Sequence, residues 1–312
     1  MKKLMLISLA ALIALTVSCK KDEPEWSLPG YELSLEDAVN ISDNETLLKV
    51  HITLPDNPDP RLYYGLWLST EPVPDLSKGD ILGHHQGLDA SQTIEAHAKY
   101  LDRFKVYYYA AYYKDYYLGK THFSEVKKFT ATAADLGLSV KWSMLPLGQT
   151  NKYATSLGFY AYGETSTNFP FTADNYHYSG DEMILPLASD VVRQRLGAPW
   201  RMPTRAEVEE LLQNCTCEMV NETTYDNANN RGLKCTGKAE PYHSIFLGAG
   251  GYYEGNDKKD SMKKGFYWTS TRTANSDWAY YLQFGEGLSK PIVGTSSPYL
   301  GYNVFAVCDE NN

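Results

Sequence analysis

The chain has 312 residues, 43% hydrophobic and 21% charged, with a net charge of −9. That length suggests about two domains, and that composition a folded rather than disordered chain. The negative balance excludes a nucleic-acid-binding surface, which needs clustered Lys and Arg. The 25 tyrosines, with few long helical patterns, predict a β-rich protein.

The chain opens with Lys2-Lys3 and an almost unbroken apolar run from Leu4 to Val17, followed by Ser18-Cys19. This reads as a secretory signal, too short to span a bilayer comfortably. A small residue before Cys resembles the lipobox of bacterial lipoproteins, although Thr16 stands where Leu is usual and Leu15 lies one position further back. The resemblance implies a signal peptide over 1–18 and a lipidated Cys19. Several acyl chains on one residue suffice for stable anchoring. Lys20-Lys21-Asp22-Glu23 resembles the charged tag that sends Bacteroidetes-type lipoproteins to the outer face of the outer membrane. Residues 19–30 are read as a linker.

Residues 31–131 show strand-length runs separated by turn residues. Leu47 to Leu54 alternates, Pro55 to Pro60 is a loop, and Tyr63 to Leu68 is a second strand. Val106 to Tyr113 is the strongest strand, with Tyr107, Tyr109 and Ala111 on one face and Tyr108, Ala110 and Tyr112 on the other. A turn through Asp115 to Lys120 leads to a last strand, Phe123 to Thr130. Some seven short strands predict an immunoglobulin-like β-sandwich. The Tyr-rich strand, the glycine turn and Ser124-Glu125-Val126-Lys127-Lys128-Phe129-Thr130 resemble the closing hairpin of fibronectin type III-like domains, which implies a spacer. His84-His85, with His97 nearby, has no carboxylate at ligand spacing and is read as a solvated loop, not a metal site. The tyrosines are read as core and sheet surface rather than a sugar platform.

Between the two regions and the end of the chain, Pro199 to Leu212 is the clearest helix start. Thr204 and Glu207 form a Thr-x-x-Glu capping box, Glu207, Glu209 and Glu210 place negative charge near the helix N-terminus, and Val208, Leu211, Leu212 and Cys215 share an apolar face. Around it lie Asp135 to Trp142, Gly158 to Thr165, Asn175-Tyr176, a strand and glycine turn from Ser244 to Tyr252, Gly265 to Thr271 and Ala279 to Phe284. In that order these segments resemble the Fibrobacter succinogenes major paralogous domain family over nearly all of 133–312. The resemblance implies a C-type-lectin-like α+β fold. Two departures are Ser143 after Trp142 and the closing Val304-Phe305-Ala306-Val307, where family members often carry Trp-Ala and Val-Arg-Pro-Val. Gly248, Gly250 and Gly251 permit positive φ or close backbone approach. Trp142, Trp200 and Trp268 are expected in the core. Trp278 and Tyr299 are expected to face solvent. With Asp277, Tyr252 and Tyr253 they form the candidate ligand surface, because aromatic faces stack on sugar rings while carboxylates bond hydroxyls.

Four cysteines remain after Cys19, namely Cys215, Cys217, Cys235 and Cys308. In an exported chain they allow three disulfide pairings, with a buried thiol at Cys215 as the other reading and a four-cysteine zinc site disfavoured by the Cys-x-Cys spacing. Arg201 to Glu207 resembles the Arg-Leu-Pro-Thr-Glu-Ala-Glu segment of formylglycine-generating enzymes. The downstream Trp-Cys and Arg-Gly-Gly-Ser-Trp segments of that family are missing, and shared helix capping explains the likeness. Glu240-Pro241-Tyr242 and Asp277-Trp278 only echo the calcium motifs of C-type lectins. No metal or cofactor is expected. Asp260-Ser261-Met262 fits an O-glycosylation pattern of Bacteroides-type exported proteins, with Ser261 as acceptor. The expected function is a non-enzymatic, outward-facing outer-membrane lipoprotein that recognises a glycan or a surface protein. The alternatives are a structural or accessory subunit of a fimbria or glycan-uptake complex and, third, a formylglycine-generating-like enzyme.

Overall fold

The computed structural model describes residues 26–148, 158–223, 229–238, 243–274 and 277–309. The signal sequence, Cys19 and the charged tag lie outside the described residues, as does the Glu240-Pro241-Tyr242 echo. Strand makes up 47% and helix 7%, arranged in several antiparallel sheets, so the chain is β-rich. Among the described residues no helix is long and apolar enough to cross a membrane.

The first part is a two-sheet sandwich. Its strands are β1 (Glu32–Leu35), β2 (Val39–Ser42), β3 (Glu45–Thr53), β4 (Tyr63–Ser69), β5 (Asp80–Gln86), β6 (Gln92–Lys99), β7 (Val106–Asp115), β8 (Lys120–Phe123) and β9 (Lys127–Thr130). In one sheet β3 pairs with β6 along one edge and with β1 and β2, in succession, along the other. In the other sheet the order is β5–β4–β7, and the far edge of β7 is shared by β8 and β9. The alternation in β3 is the physical cause: Leu48, Val50 and Ile52 face inward and are fully buried, while Lys49 and His51 face outward. Tyr64, Leu66 and Leu68 of β4 and Tyr109, Ala111 and Tyr113 of β7 close the core from the other side.

Two expectations change here. The last strand is not continuous. Ser124 interrupts it, its hydroxyl accepting the Ala111 amide at 3.0 Å and donating to the Glu125 carbonyl at 2.8 Å, and pairing with β7 resumes only at Lys127. His84 and His85 lie in strand β5 rather than in a loop, because β4 offers them a ladder.

The second part comprises β10 (Ala133–Ala134), β11 (Lys141–Ser143), α1 (Val191–Leu196), β12 (Trp200–Arg201), α2 (Arg205–Asn214), β13 (Thr216–Thr223), β14 (Asn229–Thr236), β15 (Ser244–Gly248), β16 (Tyr252–Glu254), β17 (Asp257–Lys259), β18 (Lys264–Arg272), β19 (Ala279–Gly285), β20 (Ile292–Ser296), β21 (Asn303–Val304) and β22 (Val307–Cys308). Its sheets run β10–β11–β22–β12, β13–β14–β15, β16–β17 and β20–β19–β18–β21. Helix α2 begins at Arg205, directly after the expected N-cap Thr204, and the preceding Trp200-Arg201 is a short strand paired with Val307-Cys308. The capping box forms as expected: Thr204 Oγ1 accepts the Glu207 amide at 3.3 Å and Glu207 Oε2 accepts the Thr204 amide at 2.7 Å. Val208 and Leu211 pack in one core with Trp142, Leu282 and Phe284, while Trp200, Trp268 and Tyr302 belong to a second core. Trp142, Trp200 and Trp268 are each at most 1% exposed. Cys217 and Cys235 face each other across β13 and β14 and are disulfide-bonded, and Cys215 and Cys308 are buried thiols. Of Gly248, Gly250 and Gly251, only Gly251 takes a positive φ, 71°, and a Cβ there would lie 2.1 Å from the Lys259 carbonyl oxygen.

The two parts meet through side chains. Asn40 donates to the carbonyls of Thr130 and Ala133 at 2.8 and 2.7 Å. Phe104, at φ 65°, packs edge-on against Trp200 in the second part's core, and its carbonyl accepts the Trp200 indole N–H at 2.8 Å.

Candidate functional site

The most exposed tryptophan of the described residues stands where β19 begins. The Trp278 carbonyl accepts the Thr273 amide at 2.9 Å and the Thr273 hydroxyl at 3.2 Å, which closes the neck of the β18–β19 connection. The backbone is thereby held while the indole stays 49% exposed. Thr273, Ala274, Asp277, Trp278 and Thr295 line an open depression of about 500 Å³. Thr295 arrives from β20, where it pairs with Tyr280 of β19. The Tyr280 ring lies under the Arg205 guanidinium at 4.4 Å, and Arg205 is held by Glu209, one turn along α2, at 2.7 Å. One half-exposed aromatic face, a carboxylate and two hydroxyl-bearing side chains are therefore gathered on one surface, a combination suited to a ligand with an apolar face and polar edges.

Only Asp277 and Trp278 of the five expected ligand residues are brought together there. Tyr252 and Tyr253 occupy adjacent positions on β16 and so point to opposite sides. The Tyr252 ring sits 4.8 Å from Phe266 and 5.7 Å from Tyr302, sealing the edge of the second core. Tyr253 meets Phe159 at 4.9 Å and Phe169 at 5.0 Å, both edge to face. Tyr299 is half-buried in the connection after β20 and does not line the depression. Of the stretches expected as binding loops, residues 252–260 are largely the β16–β17 hairpin, whereas of 294–302 only 294–296 are strand, at the end of β20, and 297–300 form a turn. Ser261 is exposed in the turn between β17 and β18, between Asp260 and Met262 at φ 53° and 61°.

Sequence reasoning pointed to the stretches 272–278 and 294–302 without singling out Thr273 or Thr295, and it missed the Arg205–Tyr280 contact. Thr295 becomes a neighbour only through the β19–β20 register, and no local signal marks it. Missed too was Phe169, 51% exposed and edge-on to Phe171 and Tyr253.

No protein-family model matches the chain, and no curated protein matches it. Among solved structures, it aligns with the sensor domain of the anti-sigma factor RsgI4 of Pseudobacteroides cellulosolvens. The short form aligns at 14% identity over 34% of this chain and 97% of that one, TM-score 0.27. The long form does so at 13% over 32% and 88%, TM-score 0.25. The solution structure does so at 13% over 48% and 99%, TM-score 0.27. Likenesses this distant carry neither fold nor function to this chain.

Proposed function

We propose that the chain is a non-enzymatic lipoprotein, held in the outer membrane through Cys19 and facing outward, that recognises a glycan or a surface protein through its second part. The observation that carries this reading is the half-exposed Trp278 indole, braced by Thr273 and flanked by Asp277 and Thr295. The three-plus-four strand pairing of the first part, with its first and last strands each split in two, supports a fibronectin type III-like sandwich over 31–131. Short sheets, two small helices and long connections support a C-type-lectin-like domain over 133–312.

The test uses the full chain, because Phe104 of the first part fills a place in the core of the second. Wild type and Trp278→Ala are compared on a glycan array and in capture of neighbouring surface proteins. Trp278→Ala is expected to weaken a wild-type interaction at least tenfold, about 1.4 kcal/mol. Identical profiles for the two proteins would remove the depression from consideration. For the anchor, Cys19→Ala is expected to release the protein from membranes, and protease added to intact cells is expected to cleave the wild type.

The second reading, a subunit of a surface assembly, is favoured by one observation. Met183, Ile184 and Leu187, on one short segment, are 52%, 46% and 51% exposed. Capture of neighbouring proteins with no glycan binding selects it.

A further inference from the structure

The outer face of the β5–β4–β7–β8 sheet carries a groove that a plain spacer does not need. Its floor is Tyr112, only 1% exposed, with the Phe123 ring 6.2 Å away. Gly65 lies across from Tyr112 on β4, and a Cβ there would stand 2.9 Å from both Cε1 and Oη of the phenol, so glycine is what lets the ring lie flat. Burial pushes the Tyr112 phenol up to about 12, so its hydroxyl stays protonated, and it pairs with His84 Nδ1 at 2.9 Å. The His84 ring is itself stacked on Tyr63 at 5.3 Å. Tyr116 stands on the rim, edge-to-face with Tyr63 at 4.6 Å and beneath Lys114 Nζ at 4.1 Å, and stays 53% exposed. The opposite wall is the 73–77 loop, pinned by Asp75, which accepts from the amide and hydroxyl of Ser77. The groove has a volume of about 550 Å³, within the roughly 300–1,000 Å³ of small-ligand sites.

The lining selects the ligand chemistry. Lys114 and Asp75 balance in charge, which disfavours phosphates and strongly charged ligands. Both edges of β4 and of β7 are already hydrogen-bonded to other strands, so a peptide cannot be captured here by adding a strand to them. Aromatic rings, flanked by the His84 imidazole and the Thr121 hydroxyl, match a molecule with one apolar face and a hydroxyl edge.

We propose that this groove is a second binding site, for a neutral saccharide unit, with the sugar ring against Tyr116 and Phe123 and its hydroxyls directed to His84 and Thr121, the buried Tyr112 hydroxyl holding the His84 ring in place. It is independent of the Trp278 reading.

The test is affinity electrophoresis of the full chain carrying Trp278→Ala through gels containing xyloglucan, galactomannan, arabinoxylan or mixed-linkage β-glucan. Variants adding Tyr116→Ala or His84→Ala are run beside it, and circular dichroism and Tm check that each is folded. Retardation of the Trp278→Ala protein by at least one polysaccharide is expected, reduced at least tenfold in association constant by Tyr116→Ala and several-fold by His84→Ala. Absence of retardation in every gel overturns the proposal, as does retardation that both added substitutions leave unchanged. Loss of all glycan binding on Trp278→Ala alone overturns this site while upholding the other. Binding confined to a peptide array overturns it as well.

Discussion

Arg201 joins the start of α2 to the end of the chain. Its guanidinium forks onto Glu207 at 2.9 and 2.6 Å and onto Asp309 at 3.0 and 2.8 Å, and it also donates to the Met202 carbonyl. Burial alone would raise the Glu207 carboxyl, but the hydrogen bonds from Arg201 and from Thr204 outweigh it and hold the group below its ordinary value. Arg201→Ala leaves two carboxylates without their cation. A loss of about 3 kcal/mol is expected, the low end for a broken buried pair because Asp309 is a third exposed. Arg201→Lys should recover only part of it in urea unfolding, since an ammonium cannot fork onto both carboxylates. A depressed folded-state pKa stabilises above the unfolded value of about 4.3 and stops doing so as pH falls through the folded one. The advantage of wild type over Glu207→Gln, read as a difference in urea midpoint, is therefore expected in full at pH 7 and to shrink below about pH 4.

At the scale of elements, α2 and the β13–β14 pair carry opposite lessons. The α2 cap is local, spanning Thr204 to Glu207, so it is visible in the sequence, and Thr204→Ala should cost about 1 kcal/mol of thermal stability. The Cys217–Cys235 disulfide is not local in that sense, since three pairings fit four cysteines, and only the register that sets Cys217 opposite Cys235 selects one. Non-reducing peptide mapping is expected to return this linkage alone. Cys215, whose thiol burial pushes up, and Cys308 should alkylate only on unfolding. Closing an 18-residue separation contributes about 3 kcal/mol in the chain-entropy account, so reduction should lower Tm by several degrees. The β7 strand shows both sides at once. Its alternation assigns Tyr109 and Tyr112 to opposite faces, but whether the outer face is covered depends on the loop after β4. That loop buries Trp67, whose indole N–H donates to the Lys78 carbonyl at 2.6 Å, and leaves Tyr116 open.

At the scale of the molecule, the two parts are docked rather than strung on a linker. Phe104 enters the core beside Trp200, and Asn40 ties the end of β9 to the start of β10. Phe104→Ala removes the ring from that contact and should cost about 2 kcal/mol, less than a full core Phe because Phe104 is only partly buried. Scanning calorimetry is expected to show one transition for wild type and two for Phe104→Ala. A single unshifted transition in the variant would mean the contact couples nothing. A fixed junction also fixes the angle between the Trp278 depression and the Tyr112 groove, which bears on any ligand long enough to reach both.

What the sequence determined by itself was local: the strand periods of β3, β4 and β7, the cap of α2, and the burial of Trp142, Trp200 and Trp268 within apolar runs. These are settled by neighbours a few residues away, so a linear reading suffices. Only the tertiary structure decided which aromatics stay open to solvent. Tyr252 and Trp278 look alike as candidates, yet Phe266 and Tyr302 enclose one, while Thr273 and Thr295 frame the other without covering it. The reason is physical: exposure of a large side chain depends on which distant strand lies beside it, and strand register is a property of the packed sheets.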